Sequence, residues 1–289
     1  MKLALGTAQF GMAYGIANRL GKVSADEVGA VLRLARSAGI DTLDTAVAYG
    51  DSEHRLGEMG VTDWKVISKL PAVPDACSDI SAWVDGSVRG SLGRLGVSSL
   101  YGLLLHRPVQ LLQPRGGLLY RALLHVRAVG LVEKIGVSIY DTAELDSLSP
   151  AFEFDLVQAP FNVLDRRLQE CGWLERLVAQ GTEVHARSVF LQGLLLVPKE
   201  SRPRQFDRWA ALWADYDRWL SESALTPLQA CLRYALSIPG IGRVVLGVDS
   251  VTQLAANLEA AKGPAPEIPA CLATHDTELL NPARWATPG

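Results

Sequence analysis

Along most of the chain, short apolar runs alternate with longer stretches in which apolar residues return every three or four positions. The short runs are KLALGT (2–7), TLDTA (42–46), WKVISKL (64–70), LYGLLLH (100–106), EKIGVS (133–138), DLVQAP (155–160), TEVHARS (182–188) and RVVLGV (243–248). They predict eight strands. The first longer stretch, SADEVGAVLRLARSAG (24–39), places Val28, Val31, Leu32 and Ala35 on one helical face. Ser24 is its N-cap, Glu27 completes a capping box, and Gly39 takes the C′ position. Similar periodicity marks helices at 79–95, 117–130, 164–180 and 226–237. RQFDRWAALWADYDRWL (204–220) predicts an amphipathic helix inserted before the last strand, with Trp209, Trp213 and Trp219 as packing residues.

Eight strand–helix units in regular alternation predict an α/β protein, a (β/α)8 TIM barrel forming a single domain over residues 1–289. The tail from about Gly263, GPAPEIPA, reads as a Pro-rich surface connection. The competing architecture, a doubly wound sheet, normally shows G-x-G-x-x-G after its first strand. Here the first strand runs into GTAQFGMAYG, whose glycines have a different spacing.

With 289 residues and 48% of them hydrophobic, the chain has material for one large core. A formal net charge of −3, without a long run of like charge, argues against nucleic acid or a polybasic membrane surface as the main partner. The four cysteines lie far apart and form no C-x-x-C pair, which predicts free thiols in a reducing compartment. No residues are assigned to a metal. The opening MKLALGTAQFG is interrupted by Gly6, Gln9 and Gly11, and FLQGLLLV (190–197) is too short to span a bilayer. A soluble, cytoplasmic protein is the expectation.

In a barrel, chemistry gathers where strands end and the following loops begin. The second strand ends on Asp44 and leads to Tyr49, the third ends with Lys69, and the fourth ends on His106. Each alone has an ordinary structural explanation, but the strand register brings all four to one rim. A buried carboxylate is costly unless paired, and Lys69 is the partner for Asp44. An ammonium beside a phenol lowers the cost of negative charge on its oxygen, so Tyr49 is suited to act as a general acid near neutral pH. His106 can donate a second hydrogen bond to orient a carbonyl. Such a group suits carbonyl reduction, given a hydride donor.

The chain resembles the aldo-keto reductase superfamily in GTAQFG (6–11), DTAVAYGDSEHRLG (44–57), SKLP (68–71), LLHRP (104–108), IGVS (135–138), VQAPFN (157–162) and LGVDSVTQLAANL (246–258). The resemblance implies a barrel that binds NADPH, with NADH or dual use as the alternative, and an Asp-Tyr-Lys-His tetrad that falls on Asp44, Tyr49, Lys69 and His106. It also implies that Ser138 and Gln158 hold the nicotinamide carboxamide. The Asn that often follows the Ser is Ile139 here, and the usual stacking aromatic is replaced by Arg187, whose guanidinium plane can still stack. Ser188 and the loop FLQGLLLVP, with Gly193, are expected at the pyrophosphate. Gly6 and Thr7 are further cofactor positions. Gly247, Ser250, Gln253 and Asn257 are expected at the adenosine end, where helix N–H groups favour anions. Asp249 would disfavour a 2′-phosphate, with Arg243 as a compensating charge.

Many relatives begin with a hairpin plugging the barrel floor; with the first strand at Lys2, that plug is expected to be absent or replaced. The opening LGTAQFG, with YGIAN and ARSVFLQGLLL, resembles a bacterial branch, which suggests a sugar-derived carbonyl as substrate. Tyr14, Arg107, Arg187 and Phe190 are candidate pocket walls. The oligomeric state is not readable. Two other functions fit part of the pattern: an NADP(H)-binding sensor or partner subunit with little turnover, and a Schiff-base aldolase using Lys69. The aldolase would leave the cofactor motifs unexplained.

Overall fold

The computed structural model describes residues 1–16, 18 and 21–285. The chain opens with β1 (Leu3–Gly6), a single turn α1 (Ala8–Gly11), α2 (Ala25–Ser37), β2 (Thr42–Asp44), α3 (Ser52–Met59) and β3 (Lys65–Leu70). It continues through α4 (Ile80–Leu95), β4 (Leu100–Leu105), α5 (Gly116–Ala128), β5 (Val132–Ser138), α6 (Ala143–Leu148) and β6 (Leu156–Pro160). Then come α7 (Arg167–Glu170), α8 (Trp173–Ala179), β7 (Glu183–Arg187), α9 (Ala210–Ser223), α10 (Pro227–Ser237), β8 (Ile241–Gly247), α11 (Val251–Ala260) and α12 (Thr277–Leu280). The strands pair in parallel in the order β1 to β8 and close, β8 onto β1.

The expected strands are all present and the barrel is confirmed as the fold. The helix expected at 164–180 is instead two pieces, because Gly172 between them adopts a left-handed φ of 78°. Position 39 is a glycine with φ 77°, the stop expected after α2. The tail beyond 263 is more than a surface connection. Leu272, Leu279 and Leu280 are buried, and Trp285 packs edge-on against Phe206 with ring centroids 5.0 Å apart. The stretch expected as one helix over 204–220 is a 3-10 turn, Arg204–Trp209, followed by α9, and the indoles of Trp209 and Trp219 hold the tail by donating to Asp276 and to the Glu267 carbonyl.

Side chains alternate between the barrel interior and the helical shell, as strand geometry requires. The larger core lies between strands and helices, while Ile67, Leu104 and Leu156 form a separate apolar layer. Contacts between strands that are not neighbours reveal two polar layers. Gln158 of β6 reaches Asp44 of β2, across the barrel at the strands' C-terminal ends. At the opposite end, Glu183 of β7 accepts from Tyr101 of β4 and Lys134 of β5. Among the described residues, no helix is long and apolar enough to cross a membrane. No group of three or more His, Cys, Asp or Glu among them could hold a metal ion.

Candidate active site

Asp44 and Lys69 end inward-facing positions of their strands, and both are buried, at 4% and 1% exposure. The Lys69 Nζ donates to Asp44 Oδ2 at 2.7 Å, to the Thr45 carbonyl at 3.0 Å and to the Tyr49 hydroxyl at 3.4 Å. All three ammonium protons are therefore directed. Burial pulls the Lys69 pKa down, but the Asp44 carboxylate and the Tyr49 oxygen outweigh it, and the net shift is upward. The ammonium stays charged at neutral pH. The second Asp44 oxygen accepts from Gln158 Nε2 at 2.7 Å, so the carboxylate is satisfied on both sides.

Tyr49 and His106 meet edge to face, with ring centroids 5.9 Å apart. His106 is half-buried, and its pKa is lowered to about 4 by burial and by the nearby Lys69 charge. It is a neutral imidazole at neutral pH, able to donate one hydrogen bond. The rim thus joins a phenol, an ammonium, a carboxylate and a neutral histidine.

The Tyr49 loop is held from behind. A Cβ on Gly11 would fall 1.7 Å from the Tyr49 carbonyl oxygen, so only glycine lets α1 approach this loop. The Ser52 hydroxyl lies 2.9 Å from both the carbonyl and the hydroxyl of Thr7, and the Thr7 hydroxyl donates to the Asp44 carbonyl at 3.0 Å. Glu53, 2% exposed, accepts from Ser68 at 2.6 Å and pairs with Arg94, fixing β3 beside Lys69. Gly11, the last residue of GTAQFG, is the one local signal of this support in the sequence, whereas the contacts of Ser52 and Glu53 leave none.

Of the residues expected at the cofactor, Ser138 and Gln158 lie beside the tetrad, with the Ser138 hydroxyl 3.3 Å from Gln158 Oε1. Gly6 pairs with Asp44 and Gly247 at the same rim. Thr7 is wholly buried in the hydroxyl network just described. Arg187 donates to the Ile139 carbonyl at 2.8 Å and to the Ser188 hydroxyl at 3.1 Å, and its guanidinium lies 4.5 Å from the Tyr140 ring centroid. Ser188, Leu191 and Gln192 adopt left-handed φ of 61°, 48° and 53°, followed by Gly193 at 93°. Non-glycine residues there cost on the order of 1 kcal/mol each and cluster at functional sites. Asn162 braces the segment, donating to the Ser188 carbonyl at 3.1 Å while accepting from the amides of Leu164 and Asp165.

Of the candidate walls, Tyr14 reaches across the mouth to accept from Gln192 at 3.3 Å. Burial raises its pKa, and Tyr49 and Arg187 are among its electrostatic neighbours. Arg107 is exposed beside His106, whereas Phe190 is half-buried against the apolar core. At the end of β8, Ser250 caps α11 by accepting from the Gln253 amide at 3.1 Å, and Asn257 is buried one turn on. Arg243 lies elsewhere. It bonds Thr42 and Asp41 at the start of β2, so it cannot serve α11 as the compensating charge expected from the sequence.

Fold and site together define an α/β barrel with a polar centre on its C-terminal rim. The chain belongs to the Aldo/keto reductase family, whose model it matches over residues 2–267. It is 29% identical to D-threo-aldose 1-dehydrogenase of a Pseudomonas species, with 93% of each chain covered. Among solved structures, it resembles the holo form of the aldo-keto reductase AKR11C1 from Bacillus halodurans with a TM-score of 0.70 at 18% identity, covering 92% of this chain and 88% of that one. A Pseudomonas aeruginosa protein provisionally described as an aldo-keto reductase matches with a TM-score of 0.65 at 24% identity, covering 90% and 89%. These structural likenesses speak for the fold.

Proposed function

We propose that the protein interconverts a carbonyl and its alcohol with a nicotinamide dinucleotide, and that Tyr49 is the proton donor in reduction. The observation that supports this reading is the line from Asp44 through Lys69 to the Tyr49 hydroxyl, with successive distances of 2.7 and 3.4 Å. Lys69 stabilises negative charge as it develops on the Tyr49 oxygen. Neutral His106 donates to the carbonyl oxygen and orients it, and it brings no charge of its own. Lys69 does not suit a Schiff-base role, because its bond to Asp44 keeps it protonated.

The residues present fit a nicotinamide. The Ser138 hydroxyl and the Gln158 amide, both buried at the strand ends, supply the donor and acceptor that a carboxamide requires. When bound, the nicotinamide supplies or accepts the hydride. Arg187, fixed by Ile139, Ser188 and Tyr140, would offer an oriented guanidinium to the ring, and the braced segment from Ser188 to Gly193 would hold the pyrophosphate. The resemblance favours NADPH over NADH. The curated Pseudomonas relative is an aldose dehydrogenase, which supports a sugar-derived carbonyl as the substrate class.

Tyr49→Phe tests the assignment. The variant should melt like the parent and bind dinucleotide within about threefold, while kcat falls by about 100-fold or more on any good substrate. An unchanged rate would overturn the role of Tyr49.

A further inference from the structure

Glu27 breaks the local pattern in which it sits. Ser24-x-x-Glu27 is a capping-box sequence, and Ser24 Oγ does accept from the Glu27 amide at 3.3 Å. The Glu27 side chain does not close the box. Its Oε1 instead accepts from the amide of Val251 at 2.5 Å, the first residue of α11. A carboxylate from a distant helix is thus fixed on a helix start just beyond the end of β8.

A second carboxylate lies two residues earlier. Asp249 Oδ1 accepts from Asn18 Nδ2 at 3.0 Å, and Oδ2 lies 3.4 Å from Gln253 Nε2. The Asp249 amide donates to Gln253 Oε1 at 2.9 Å, which holds the carboxylate in place. Among the described residues, no lysine or arginine forms an ion pair with Glu27 or Asp249. Lys22, five residues before Glu27, pairs with Asp51, and Arg243, six before Asp249, is committed to Asp41 and Thr42 at the other end of the barrel.

The loops after the last two strands of a barrel, with the helix start that follows, commonly receive a ligand's phosphate. Their free N–H groups and the helix dipole favour an anion. In this chain an internal carboxylate already occupies the first N–H, and a second stands beside it. A further phosphate there would face like charge that no lysine or arginine among the described residues pairs. A ribose with a free 2′-hydroxyl meets no such repulsion and can donate to a carboxylate. We propose that Glu27 and Asp249 make the dinucleotide site selective for NAD(H) against NADP(H), Glu27 acting as the main specificity residue. The proposal rests on the dinucleotide reading above and departs from the NADPH preference that the family resemblance favours.

Direct binding tests it without turnover. The chain has seven tryptophans, so quenching of intrinsic fluorescence can be titrated with NADH and with NADPH. The unmodified protein should bind NADH about tenfold or more tightly than NADPH. Glu27→Gln keeps an oxygen that can accept from Val251 and removes only the charge. Combined with Asp249→Asn, it should narrow the gap at least about threefold, mainly through tighter NADPH binding, with the melting temperature retained. Equal or tighter NADPH binding by the unmodified protein overturns the proposal, as does a gap unchanged in the well-folded double variant. If neither nucleotide binds, the dinucleotide reading falls and the selectivity with it. If Tyr49→Phe turns over normally while the NADH preference stands, only the catalytic assignment is lost.

Discussion

At the residue scale, the chemistry of the rim depends on which groups carry charge. Lys69 is kept charged by Asp44, and that charge, together with burial, keeps His106 uncharged. The folded chain lowers the His106 pKa from 6.5 to about 4, so in that window the unfolded chain binds the proton that the folded one refuses. Stability therefore rises with pH between those values and is lost as pH falls through them. An NMR titration of the His106 ring should show a midpoint near 4. In His106→Gln the melting temperature should depend less steeply on pH across the same window. A ring that titrates at its ordinary value, or an unchanged slope in the variant, would contradict a neutral hydrogen-bond donor at this position.

Among the elements, the decisive contact is a turn pressed against a turn. α1 reaches the Tyr49 loop only because Gly11 has no Cβ, and Gly50, with φ 58°, lets that loop bend back toward Gly11. Gly11→Ala should cost about 1–3 kcal/mol through overpacking and should lower kcat by shifting the Tyr49 backbone. Urea melts and steady-state rates check both. A variant with parental kcat would show that Tyr49 is not positioned from this side. Such contacts explain what the sequence reveals and what it hides. Strand ends follow from alternation, so Asp44, Lys69 and His106 could be placed on one rim in advance, whereas Ser138 and Gln158 come only from the family resemblance. Gly11 against Tyr49, Asn162 beneath Ser188, and the bond from Gln158 to Asp44 join distant segments and leave no periodic trace. Glu27 shows how a local rule can mislead. Its spacing from Ser24 predicts a partner in its own helix, but closure of the barrel brings α11 within reach, and the long-range bond wins.

At the scale of the whole molecule, the barrel separates two polar layers with the apolar layer of Ile67, Leu104 and Leu156. The upper layer holds the proposed catalytic group, and the lower one fills the floor. There Glu183 accepts from Lys134 Nζ at 2.5 Å and Tyr101 at 2.7 Å through one oxygen, and meets His185 Nε2 at 2.7 Å through the other. Burial raises the Glu183 pKa, but bonds to His185, Lys134 and Tyr101 outweigh it and hold the group far below the ordinary carboxylate range. A carboxyl group depressed in this way adds stability above its unfolded pKa, near 4.5, and loses that contribution as pH falls below it. Glu183→Gln leaves Lys134 and His185 without their anion and should cost about 2–4 kcal/mol at pH 7. The difference from the parent should shrink by about 1.4 kcal/mol per pH unit below the unfolded value. Because the floor and the rim are separate layers, dinucleotide affinity at pH 7 should stay within about twofold. Urea melts at pH 7 and pH 3.5, alongside fluorescence titration, read both quantities. A stability gap that persists in acid would mean that packing, and not charge, closes the floor, whereas a large loss of nucleotide affinity would mean that the two layers are coupled through the apolar one.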